Sequence, residues 1–285
     1  MRAVIFVASL TIAFPLQAQN TAPWDSIARV LQTPSNRLPE YVRYNFPRRD
    51  LSVRIAGTLV PTGAVTSWLG FGGEPADAEV MGDLVTVRGE TAAVLAECAK
   101  QGIDVLAVHN HLSGEIPAVT YVHVHAHGPA VALAQKLDQV LSRTAVPRPV
   151  EAGMPPPLTI DTALVFGTLG QSGRAQGAFA SLTFMLVQEA VTMHGRTMIP
   201  SLAYASPIGI QMLSPERLIA LGDLAIPAVK VQAVLQTLAG NGIGATAVHT
   251  HMINEEPRVY FIHFWADGAP NAILTGLRKA IDVAR

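Results

Sequence analysis

Residues 81–128 read MGDLVTVRGETAAVLAECAKQGIDVLAVHNHLSGEIPAVTYVHVHAHG, and residues 221–268, 140 positions on, read LGDLAIPAVKVQAVLQTLAGNGIGATAVHTHMINEEPRVYFIHFWADG. The two stretches align without a gap, and 19 of the 48 pairs are identical. The identities include Gly82/Gly222, Asp83/Asp223, His109/His249, His111/His251, Glu115/Glu255, Pro117/Pro257 and His123/His263. Self-similarity at a fixed offset marks an internal duplication. Upstream the match weakens but continues, with Gly57 and Pro61 answered by Gly195 and Pro200, and Asp25 by Asp161.

Working outward, residues 146–157 (VPRPVEAGMPPP) are too proline-rich for a helix or a central strand and read as a linker. The expected organisation is a first repeat over 21–145 and a second over 158–285, packed about a pseudo-twofold axis. Within a repeat, Leu51–Ile55, Thr66–Phe71, Leu84–Val87, Val105–His111 and Val119–His125 read as strands. Glu90–Gln101, stopped by Gly102, and Val131–Leu141 carry helical spacing. The order predicted is ββ-β-α-β-β-α, an α+β fold with an antiparallel sheet in each of two tandem homologous domains.

Residues 1–20 (MRAVIFVASLTIAFPLQAQN) have one basic residue, a short apolar run and small residues after it, the order of a secretory signal peptide. The run is too short to span a bilayer, which takes about 20 residues, and no later segment reaches that length uninterrupted. The expected location is periplasmic or secreted, with no transmembrane segment. Lys+Arg 20 against Asp+Glu 21 gives a charge of −1, which argues against nucleic acid as a partner. The lone Cys98 excludes a disulfide framework and thiolate metal clusters. It sits on an apolar helix as packing.

Both copies share H-x-H-x-x-x-E-x-P-x-V-x-x-x-H. Alternation along a strand puts His109 and His111 on one face, and likewise His249 and His251. A three-residue hairpin loop over 112–114 has Gly in one copy and Asn in the other at its last position, where φ > 0 is required. Such a turn sets Glu115 opposite His111. Two imidazoles and a carboxylate form a ligand set with open positions, suited to zinc and also to manganese or iron, with copper a further candidate. The expected metal ligands are therefore His109, His111 and Glu115, and in the second copy His249, His251 and Glu255.

The spacing is similar to the first metal motif of cupins, but a helix precedes the hairpin and no second cupin motif follows. In the same register His123 falls opposite about residue 103, too far from His111 to share its metal unless the strands are irregular. His123 and His263 are then catalytic candidates, for proton transfer or oxyanion binding from the facing copy, with Glu115 as a further one. Asp83 is either a partner that orients a histidine or part of a strand-entry turn. His125 and His127 exist only in the first copy, where the second has Trp265 and Asp267.

MGDLV (81–85), VHNHLSGEIPAVTYVH (108–123), VHTHMINEEPRVYFIHFWADG (248–268) and YNFPRRDLSV (44–53) resemble the LppY/LpqO family of exported bacterial proteins and lipoproteins. The resemblance implies export and brings no activity with it. The chain lacks the cysteine that family members carry as lipoproteins.

The reading is a metal-dependent enzyme, hydrolase-like, in which the metal activates water toward a small polar substrate. A lyase or isomerase of the glyoxalase type is a variant, by analogy of paired modules around a metal. The alternatives are a non-catalytic envelope protein that binds or buffers metal, and a metal-free ligand-binding module.

Overall fold

The computed structural model describes residues 22–151 and 153–285, so the expected signal peptide lies outside the described residues. The first copy runs α1 (Ala22–Leu31), β1 (Ser35–Arg37), β2 (Tyr41–Pro47), β3 (Arg54–Ile55), β4 (Thr58–Leu59), β5 (Thr66–Glu74), β6 (Asp77–Val87), α2 (Thr91–Gln101), β7 (Asp104–His109), β8 (Glu115–Ile116), β9 (Val119–Gly128) and α3 (Ala130–Leu141). The second runs α4 (Thr162–Leu169), β10 (Gly173–Gln176), β11 (Phe179–Phe184), β12 (Thr192–Met193), β13 (Arg196–Thr197), α5 (Pro200–Ala203), β14 (Ser206–Ser214), β15 (Arg217–Pro227), α6 (Val231–Gly240), β16 (Gly244–His249), β17 (Val259–Gly268) and α7 (Pro270–Ala284). Residues 146–151 and 153–157 form neither helix nor strand.

Each copy builds one six-stranded antiparallel sheet, β1-β2-β5-β6-β9-β7 in the first and β10-β11-β14-β15-β17-β16 in the second. The two orders correspond strand for strand, as a duplication requires, and the fold is two tandem α+β domains. The predicted order per repeat is found in β2-β5-β6-α2-β7-β9-α3. Its first strand differs, however. Of Leu51–Ile55 only Arg54–Ile55 is strand, and it belongs to a small separate sheet with β4 and β8. The strand of the main sheet that precedes β5 is instead Tyr41–Pro47, between β1 and β5, which alternates buried and half-buried residues along most of its length.

The central strands are buried on both faces, and the period of two divides the labour. On β6 and β9, Val80, Leu84, Val122, Val124 and Ala126 pack with α1, α2 and α3. The intervening Met81 and Val85, and Tyr121, face away from the helices into two smaller clusters. On β15 and β17, Leu224, Ile226, Ile262 and Phe264 pack under the helices of the second copy, while Ala225, Val259 and Phe261 join Tyr41, Met81 and Leu106 of the first. The helix-free faces of the two sheets thus pack on each other. Asp83, His123, Asp223 and His263 lie on those faces, by the same alternation.

Helix signals behave as read. Gly102 ends α2 at φ 66, and Asp161 caps α4 by accepting from the Leu164 amide at 2.9 Å. Gly82, before Asp83, has a steric reason. A Cβ there would stand 2.5 Å from Leu69 Cδ2 and 2.7 Å from the Trp68 carbonyl, and one at Gly222 would collide with the Pro207 carbonyl. The Gly-Asp pair therefore lets β6 and β15 pass close over their neighbours and delivers the aspartate to the inner face.

Candidate metal centre

The histidine loop departs from the expected tight hairpin. β7 pairs with β9, with His109 opposite Tyr121 and Ala107 opposite His123. His111 lies beyond the strand end, and Glu115 pairs with Ile55 of β3. Residues 110–118, and 250–258 in the second copy, are wide connections in which Gly114 and Asn254 do take positive φ, 77 and 57. The expectation that His123 falls opposite residue 103 is corrected by this register. A bulge between Val105 and Ala107, repeated between Ala245 and Ala247, follows the pair of Ala107 and His123. Bulges re-aim side chains, and here they point across the interface. Thr246 Oγ1 donates to the His111 carbonyl at 2.6 Å, while Asn110 Nδ2 donates to the Thr246 carbonyl at 3.1 Å.

His123 consequently stands beside His109 and His111, and the two copies' sets meet. His109 and His249 rings are 3.6 Å apart. His111 stacks on His263 at 3.9 Å and His123 on His251 at 3.9 Å, the pairing that a pseudo-twofold axis demands. One donor group comprises His109, His249, His251 and His263, another His109, His111 and His123, with the ligand atoms of each group within 4.8 Å of one another. His109 Nε2 and His263 Nε2 are 3.2 Å apart, close to the ~3.3 Å between two nitrogens that share a tetrahedral zinc.

The expected carboxylate ligands take other positions. Glu115 Oε1 accepts from the Val119 amide at 3.2 Å and Glu255 Oε1 from the Val259 amide at 3.3 Å. Neither is among the donor groups found in the described residues. The carboxylates beside the imidazoles are Asp83, 3.5 Å from His111 Nε2 and 3.7 Å from His123 Nε2, and Asp223, 3.9 Å from His251 Nε2 and 3.8 Å from His263 Nδ1. In sequence Asp83 stands out only weakly. Its recurrence with Gly82 in both copies was the signal available.

Polar satisfaction identifies the centre as unusual. His109 Nδ1, His111 Nε2, His123 Nε2, His249 Nε2, His251 Nε2, Asp83 Oδ1 and Asp223 Oδ1 are buried without a hydrogen-bond partner. Buried polar groups are otherwise paired almost throughout proteins, because an unpaired one costs about 1–3 kcal/mol. Burial and the neighbouring imidazoles hold His111, His123, His251 and His263 well below the usual histidine range. Burial, helped by His249, lowers His109 to about 3, and burial lowers His249. Neutral imidazole is the form that ligates. Asp83 is pushed well above the usual carboxylate range by burial and then by Asp223, and Asp223 by burial. A bound cation would reverse that penalty, since its charge favours the ionised form.

Rings and a cleft complete the surroundings. Tyr121 stacks on His111 at 3.5 Å and Phe261 on His251 at 3.6 Å. A cleft of about 1110 Å³, lined from both copies, reaches His111, His123, His251 and His263 with both aspartates. Arg43 also lines it, its guanidinium 4.2 Å over the Trp68 ring.

Fold and site together define a duplicated α+β protein whose two sheets enclose one all-histidine centre. The sequence profile of the family described as Domain of Unknown Function (DUF1259) matches the chain twice, over residues 25–143 and 163–283, and the chain belongs to that family. No curated protein matches it in sequence. Among solved structures, it is similar to a double-ringed trimeric shell protein of the RMM microcompartment at 8% identity, covering 75% of this chain and 86% of that one with a TM-score of 0.20. Nothing about this chain is carried over from a likeness of that degree. No helix among the described residues is long and apolar enough to cross a membrane.

Proposed function

We propose that the chain is a metal-dependent enzyme of the cell envelope whose metal is held between its two repeats. The observation that carries this reading is the convergence of six imidazoles from both copies, five of which have a buried, unpartnered ring nitrogen. The ligands are His109, His111, His123, His249, His251 and His263. Asp83 and Asp223 orient them and offset the ion's charge. His123 and His263 thus serve as donors beside the H-x-H pairs, and Glu115 and Glu255 hold the loops through Val119 and Val259. An all-nitrogen set favours zinc, with copper, iron and manganese as competitors.

A zinc-class ion would supply Lewis acidity and a bound water acidic enough to ionise near neutral pH. The chain itself shapes access. The cleft admits a small polar substrate to the face formed by His111, His123, His251 and His263, and Arg43 offers a cation there. Tyr121 and Phe261 keep the ring faces of His111 and His251 from water. The reaction class that fits is hydrolysis. The signal-like residues 1–20 and the resemblance to the LppY/LpqO family support export.

One observation favours a second reading, metal storage or buffering. His109, His249, His251 and His263 number four, enough to close a tetrahedral shell. Reconstituting tag-free protein with Zn²⁺ and assaying panels of phosphate esters, carboxylate esters and amides tests the first reading. Turnover that vanishes with Asp83→Asn supports catalysis, whereas stoichiometric zinc with no turnover on any panel favours buffering.

A further inference from the structure

The duplication is broken at one end of the molecule. Each copy sends a short hairpin toward the other: β3–β4 with Ala56 and Gly57 at its tip, and β12–β13 with His194 and Gly195 at its tip. The tips share a left-handed residue, Ala56 at φ 47 and His194 at φ 51. At the first tip, Thr58 Oγ1 bonds Asp267, which Arg217 also holds at 2.7 Å. At the second tip the partners differ, because Asp104, His125 and His127 stand where the second copy has Gly244, Trp265 and Asp267.

We infer that Asp104, His125 and His194 form a second site for a zinc-class divalent cation, distinct from the central histidines and specific to this end of the chain. Asp104 and His125 face each other across the β7–β9 ladder. His125 Nδ1 is 3.3 Å from Asp104 Oδ2, and one ligand atom from each of the three residues lies within 4.8 Å of the others. Two nitrogens and an oxygen are a zinc donor set, and three protein ligands leave a coordination position open. The group opens on a cavity of about 300 Å³.

A second, independent feature points to a ligand there. Glu79, 8% exposed, lines the same cavity, and its Oε1 is buried without a hydrogen-bond partner. Lys136 and Arg196 also line the cavity, but Arg196 is engaged with Asp77 at 3.1 Å. Asp77 in turn lies 3.0 Å from His127 Nε2. Arg196 also lies near enough to Glu79 to favour its ionised form, and Glu79 and Asp104 are two carboxylates of this cavity. His194 belongs to the second copy and the other two ligands to the first, so occupancy would clamp the β12–β13 hairpin onto the first sheet.

The test is zinc stoichiometry of the full chain by equilibrium dialysis with Zn²⁺ and elemental analysis. His194→Ala, at an exposed tip, is expected to hold one equivalent fewer than wild type. The same result is expected of Asp104→Asn, which guards against a folding defect in the first variant. His109→Ala/His249→Ala is expected to keep that equivalent, which separates this site from the central one. Crystals grown with Zn²⁺ are expected to show an anomalous peak between His125 and His194. Unchanged stoichiometry in both His194→Ala and Asp104→Asn, or no peak at that position, overturns the inference.

Discussion

An imidazole ligates only when neutral, and at the interface of the two sheets burial lowers the pKa of six of them, with repulsion between imidazoles adding to it in all but His249. Asp83 is the residue whose role can be isolated there, since Asp83→Asn removes charge and keeps shape. Loss of a carboxylate that orients a ligating histidine costs about 10–100-fold in metal affinity. That loss is expected for Asp83→Asn in competition with a chromophoric chelator, and an unchanged affinity would remove Asp83 from the centre. Cys98 illustrates burial without function. Burial, with Glu97 adding to it, pushes the thiol up to about 11, so the reactive thiolate is scarce at pH 8. A thiol reagent is expected to label it only after denaturation, and fast labelling of native protein would contradict its packing role. Arg48, fully buried, donates to Asp50, to Glu90 and to the Val85 carbonyl. Arg48→Met takes the guanidinium from both carboxylates, Glu90 keeping the Val87 and Ala145 amides, and is expected to cost about 3 kcal/mol in chemical denaturation, in line with breaking a buried pair. A cost under a few tenths would show that solvent already satisfies them.

At the scale of elements, the helices and most central strands could be read from periodicity, and the histidine-bearing strands from matched spacing in two copies. The register between them could not. A three-residue loop was the economical reading of Gly114 and Asn254, and both do have positive φ. Yet Glu115 leaves the hairpin to pair with β3, a partner 60 residues away in sequence that no local pattern announces. That detour moves His123 from its expected place beside residue 103 to one opposite Ala107. Glu115 Oε1 there accepts from the Val119 amide. Glu115→Gln is expected to cost about 1 kcal/mol, the scale of one hydrogen bond, and to leave metal content unchanged. A metal loss as large as that of His111→Ala would restore Glu115 as a ligand. The close passage of β6 over β5 is tested by Gly82→Ala, expected to destabilise by about 1–3 kcal/mol through overpacking and to show as a lower thermal midpoint. An unaltered midpoint would mean that Leu69 gives way freely.

For the whole molecule, the repeat disclosed that two equivalent histidine sets exist, while their fusion into one centre was legible only as a pseudo-twofold expectation. Docking of the helix-free faces depends on Met81, Leu106, Met252 and Phe261 packing together across copies, a tertiary event without a sequence signature. Because the proposed centre draws on both copies, metal held there would be linked to their association and hence to stability. Free metal at 100 times its Kd contributes about 2.7 kcal/mol, so chelation is expected to lower the thermal midpoint of metal-loaded protein and Zn²⁺ to restore it. A midpoint indifferent to both would separate metal from the fold. The most direct test is elemental analysis of tag-free protein carrying His194→Ala, which silences the outer site, with and without His109→Ala/His249→Ala, after supply of Zn²⁺, Mn²⁺, Fe²⁺ and Cu²⁺. The centre predicts at least one equivalent of transition metal in the first protein and a loss of it in the second. Equally negligible metal in both would contradict a metal centre between the repeats.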